Sequence, residues 1–118
     1  MYNYIVPISA EKLLAEAEKE NLYQKLIEQL NKDFNFANEA IDIPEHTSAE
    51  DLKTILHEKV YRLIQYKFAE YLNLLYIIDV SESEVKKLDG SDIAGLSGQV
   101  AFLILKREWQ KVWFRNKL

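Results

Sequence analysis

Residues 47–78 read TSAEDLKTILHEKVYRLIQYKFAEYLNLLYII, and the spacing within them decides the fold. Leu52, Ile55, Leu56, Val60, Leu63, Ile64, Phe68, Tyr71, Leu72 and Leu75 recur three and four apart, which places them on one stripe of an α-helix. No proline or glycine interrupts the run. Just before it, Thr47 with Glu50 and Ser48 with Asp51 offer two overlapping capping boxes. A helix of about 30 residues rises about 45 Å, at 1.5 Å per residue, and is expected to be the spine of the protein.

On the C-terminal side, Asp79 to Glu84 stops this helix, and Ser81 with Glu84 recaps a short one that ends at Asp89–Gly90. Ser91–Asp92 then caps a last helix. Its apolar positions are Ile93, Leu96, Val100 and Leu103, with Ala101, Phe102, Leu105, Trp109, Val112 and Trp113 on a broader face. Val100 to Leu105 alone would also suit a strand, but the helical spacing continues through Trp113 without a turn signal. Gly95 and Gly98 inside that helix each cost about 1 kcal/mol relative to alanine, so they are expected to admit a second helix at close range, beside Ala94 and Ala101.

On the N-terminal side, Ser9 caps a helix carrying Leu13, Leu14 and Ala17. The pattern slips at Glu20–Asn21, where Asn21 and Gln24 form a variant capping box, and resumes at Leu22, Leu26, Ile27, Leu30 and Phe34, so a kink or break is predicted there. Residues 35–47 form the one long polar connection. Within it Ala40 to Pro44 alternates like an extended piece, as do Tyr2, Tyr4 and Val6, and a minor two-stranded β pairing near the N-terminus is predicted. The expected architecture is all-α: one domain over residues 1–118, an antiparallel bundle of four to five helices.

Composition bounds the chemistry. With 118 residues, 48% hydrophobic and 29% charged, the chain can bury a core and is too apolar to be disordered. It has no cysteine, which excludes disulfides, thiolate metal sites and cysteine nucleophiles, and suits a reducing compartment. Met1 to Ser9 has no basic residue ahead of Tyr4-Ile5-Val6 and no small-residue cleavage pattern, unlike a signal peptide. The longest apolar run, Val100 to Leu105, is far short of the roughly 20 residues of a membrane span. A cytoplasmic location without membrane contact is therefore expected. The net charge of -4 is unevenly spread: Lys106, Arg107, Lys111, Arg115 and Lys117 stand against Glu108 alone in residues 106–118.

Residues 72–82 (LNLLYIIDVSE) and 103–117 (LILKREWQKVWFRNK) resemble short helical proteins of Bacteroidota bacteria that have no assigned activity. The resemblance covers about the second half of the chain and involves no catalytic motif. It implies a small helical bacterial protein and carries over no site.

No catalytic constellation stands out. Gly90 to Ser97 matches a phosphate-loop template except that Leu96 occupies the lysine position, and no parallel strand precedes it. His46 and His57 have no second histidine at helical metal-ligand spacing, although Asp42, Glu45 and His46 could gather in their loop. Ser48, Ser81 and Ser91 have capping roles, and no nucleophile elbow occurs. Tyr61, Tyr66, Tyr71 and Tyr76 are five apart and cannot share one helix face. Neither a cofactor nor a metal is implied.

The strongest candidate is the end of the last helix. Arg107, Lys111 and Arg115 are four apart and make a basic stripe flanked by Lys106 and Lys117, with Trp113 and Phe114 beside it. One reading is a soluble helix end whose cations complement the dipole and whose tryptophans are core. The other is a docking surface of the aromatic and arginine kind that interfaces concentrate. On the second reading the protein is not an enzyme but an interaction module for another protein or a second copy of itself, because the last helix is apolar around much of its circumference. The alternative is nucleic-acid or ribosome-associated binding through the same basic helix.

Overall fold

The computed structural model describes residues 3–118 and is all-helical, with no strand among the described residues. The helices are α1 (Ala10–Lys19), α2 (Tyr23–Phe36), α3 (Ala49–Tyr66), α4 (Phe68–Ile78), α5 (Glu82–Lys86) and α6 (Ile93–Lys117). Caps explain most boundaries. Ser9 accepts from Lys12 N at 3.1 Å, Ser48 from Asp51 N at 3.1 Å and Ser81 from Glu84 N at 3.4 Å. Asp92 accepts from Ala94 N and Gly95 N. Thr47, the competing cap of α3, turns away and donates its hydroxyl to the Pro44 carbonyl.

The break between α1 and α2 forms without the anticipated capping box. Asn21 takes a left-handed conformation, φ 59°, and Leu22 N reaches back to Ala17 O at 2.8 Å, closing the end of α1. Leu22 then opens α2 with no side-chain cap.

Three further sequence expectations are corrected. First, the 30-residue helix is two helices. Lys67 adopts φ -140° and ψ 58°, ending α3 with its N–H on Leu63 O and starting α4 with its carbonyl on Tyr71 N. The bend lets α3 lie along α6 while α4 reaches both α2 and α6. Nothing local marks it, because the buried Leu52, Leu56, Val60 and Leu63 of α3 and Tyr71, Leu74, Leu75 and Ile78 of α4 keep a common spacing. Phe68 and Leu72, expected on the buried stripe, are about half exposed.

Second, the β pairing is absent among the described residues; Tyr2 lies outside them. Tyr4 instead packs its ring on Trp113 and Phe114, at centroid distances of 5.3 and 5.2 Å. The place of a strand partner beside Ile43 is taken by a side chain: Asn31 of α2 accepts from Ile43 N at 2.8 Å and donates to Ile43 O at 2.9 Å. Asp42, at φ 48°, breaks the extended run from within.

Third, the spine is α6, not the 49–78 segment. It packs against α1, α2, α3 and α4, so most of the apolar surface around its circumference is covered by four neighbours of its own chain, with Ile93 and Phe114 left exposed towards its ends. Val100, Ile104, Leu105, Trp109 and Val112 are sealed in one core with Leu13, Leu26, Leu30, Phe34, Leu56 and Leu63. Gly98 stands where α6 meets α3: a Cβ there would lie 3.8 Å from the His57 ring. Gly95 has a different reason, since its Cβ would lie 3.0 Å from the capping Asp92 carboxylate.

Candidate functional site

The cations of the basic stripe are turned onto the protein itself. Arg107 grips the end of α4, donating from Nε to the Asp79 carbonyl at 3.1 Å and from Nη2 to the Asp79 carboxylate at 3.0 Å, while Nη1 reaches Gln110. Lys106 meets Glu84 at 3.0 Å and lies over the Phe102 ring. Arg115 donates to Gln29 Oε1 at 2.7 Å, and Lys117 pairs with Glu20 at 2.6 Å. Trp113 is buried and edge-on to Tyr4 and Phe114; Phe114 is 39% exposed. The stripe therefore ties α6 to α1, α2, α4 and α5, and its rim presents Phe114 and partly exposed Arg107.

Lys111 holds a buried polar cluster at the contact of α2 with α6. Its Nζ lies 2.8 Å from Asp33 Oδ2 and 2.9 Å from Glu108 Oε1. Glu108 is fully buried; Lys111 stands close enough for an ion pair, but neither Glu108 oxygen receives a well-aligned hydrogen bond. Burial, and then the hydrogen bond its proton makes to Asp33, push the Glu108 carboxyl up to about 8. Burial also opposes ionisation of Asp33, but hydrogen bonds from Glu108, Lys111 and Gln29 prevail and hold its carboxyl below the usual range. At neutral pH the pair carries one proton and one negative charge, balanced by Lys111. The sequence pairs Glu108 with Lys111 by spacing alone; Asp33 comes from a distant helix and leaves no local signal.

The other sequence candidates are dispersed. Asp42, Glu45 and His46 are exposed on the 37–48 loop, and no group of three metal-ligating side chains gathers among the described residues. His57 Nε2 is 2.9 Å from the Ala94 carbonyl, at the contact of α3 with α6. Gly90 to Ser97 forms the turn and first residues of α6, and Ser97 is buried with its hydroxyl on Ile93 O. Of the four spaced tyrosines, Tyr71 is core, whereas Tyr66 and Tyr76 are exposed.

A feature the sequence reading missed lies on α4. Its sequence, FAEYLNLLYII, has one charge in eleven residues. One face buries Tyr71, Leu74, Leu75 and Ile78; the opposite face exposes Phe68, Leu72 and Tyr76, spaced four apart, with Ala69 and Asn73 beside them and no charge among the five. Tyr76 is 74% exposed. Next to this stripe, a groove of about 550 Å³ between α4 and α5 is floored by Leu75, Val80 and Val85, with Asp79, Glu82 and Lys86 on its rim. The signal was available: a helix without a polar face is either enclosed on all sides or docked onto something.

No helix among the described residues is long and apolar enough to cross a membrane. The chain matches no family model, no curated protein and no solved structure.

Proposed function

We propose that the protein is a non-catalytic interaction module that binds another protein chain through the uncharged face of α4. The observation that carries this reading is the exposure of Phe68, Leu72 and Tyr76 on a single uncharged stripe of one helix, beside an apolar groove; the other exposed large apolar side chains, among them Ile5, Ile8 and Phe36, lie outside this stripe. Contiguous apolar patches of this kind mark interaction surfaces on soluble domains. Aromatic side chains beside a pocket are also what interface centres concentrate. Of the C-terminal residues, Arg107 and Lys106 support that face and its groove by holding the end of α4 and α5, whereas Lys111, Trp113, Phe114, Arg115 and Lys117 face α1, α2 and Tyr4. Arg107 fixes the end of α4 through Asp79, and a nucleic-acid phosphate would have to displace the carboxylates and carbonyls that these cations already hold.

A photoreactive benzophenone residue at position 76, introduced in cells that produce the protein, tests the reading against the same residue at exposed position 18 of α1. Discrete covalent adducts to a protein chain are expected from position 76 and not from position 18. Irradiation that yields no adduct from position 76, or the same adducts from both positions, overturns it.

A further inference from the structure

We infer that the occupant of the α4 face is a second copy of this chain, packed α4 against α4 in antiparallel register about a two-fold axis at Leu72; this rests on the reading of that face as a docking surface. Three features on the face are self-complementary. Phe68 and Tyr76 lie four residues to either side of Leu72, so an axis there sets each Phe68 against the Tyr76 of the other copy, about 12 Å apart along each helix at 1.5 Å per residue. The ends of the stripe carry opposite charge: Lys67 precedes it with half of its side chain exposed, and Asp79 follows it with 79% exposed. The same axis leaves Lys67 of one copy two residues, about 3 Å along the helix, from Asp79 of the other, within the reach of a lysine side chain. Each can add a partner, because the ammonium that meets Glu39 has further N–H groups and the carboxylate that meets Arg107 has further lone pairs.

The face also carries both a knob and a hole. Phe68 projects at one end, and the groove floored by Leu75, Val80 and Val85 opens at the other, beside Tyr76. A surface bearing both parts closes on itself in a two-fold dimer, whereas a head-to-tail match would continue into a chain of copies.

The cysteine-free sequence makes the test direct. Sedimentation equilibrium is expected to give twice the 13.9 kDa chain mass at high concentration, and Leu72→Glu to weaken that association at least tenfold while leaving the circular dichroism spectrum unchanged. Under mild oxidation, Leu72→Cys is expected to form a disulfide-linked pair at least tenfold faster than Tyr76→Cys or Glu18→Cys alone. An equimolar mixture of Phe68→Cys and Tyr76→Cys chains is expected to cross-link as fast as Leu72→Cys. A wild-type chain that sediments as a monomer throughout, or equal trapping rates at positions 72, 76 and 18, overturns the inference. If position 76 then photo-cross-links to a different protein, the docking reading stands without the dimer; if it cross-links to nothing, both fall.

Discussion

A fully buried glutamic acid sits on the central helix, and its proton ties the fold to pH. Glu108 titrates at about 8 in the folded chain, raised first by burial and then by Asp33. In the unfolded chain it would lose its proton near the ordinary glutamate value. Between those two values the folded state holds a proton that the unfolded state has released, so stability falls as pH rises, by up to about 1.4 kcal/mol per pH unit. Above about 8 both states are ionised and the fall ends. Asp33 acts in the opposite sense and in another window: its depressed carboxyl adds stability that is lost only as pH drops through the acid range. Glu108→Gln keeps the shape and the donor toward Asp33 without the titration. We expect urea unfolding of the variant to be flat from pH 5 to 8 where the native chain weakens, with a gain on the order of 4 kcal/mol at pH 8. An equal slope in both chains would remove Glu108 as its source.

Helix ends and breaks show which elements announce themselves. Ser9, Ser48, Ser81 and Asp92 cap four of the helices from positions visible in the sequence, because a cap is a contact within one turn. The break at Lys67 is not visible: Gln65, Tyr66, Lys67 and Phe68 include no breaker, and the bend follows from where α2 and α6 lie. The two glycines of α6 separate the cases further. At Gly98 an added methyl meets the His57 ring at ordinary contact distance, so Gly98→Ala is expected to stabilise by about 0.5–1 kcal/mol through helix propensity. At Gly95 the methyl would crowd the Asp92 carboxylate, and disturbing a cap costs about 1 kcal/mol, so Gly95→Ala is expected to gain nothing or lose stability. Thermal unfolding of the two variants side by side checks the difference in sign.

For the whole molecule, α6 is the element on which the others depend. Trp109, buried in the C-terminal half of its span, lies in the core that α6 forms with α1, α2, α3 and α4. Trp109→Ala is expected to cost roughly 3–5 kcal/mol, a large share of what a domain of this size has. Near-UV circular dichroism and the urea midpoint should both drop sharply; an unchanged midpoint would show that α6 is not the support. The sequence by itself determined that the chain is helical, where most helices begin, and that its C-terminal segment is rich in cations, because periodicity, caps and composition are local properties. Tertiary structure alone decided that α6 is the spine, that the cations face carboxylates and carbonyls of their own chain, that Asp33 meets Glu108, and that Phe68, Leu72 and Tyr76 are left uncovered. An apolar residue is buried or exposed according to which other helix lies over it, and that neighbour is set by packing distant parts of the chain together.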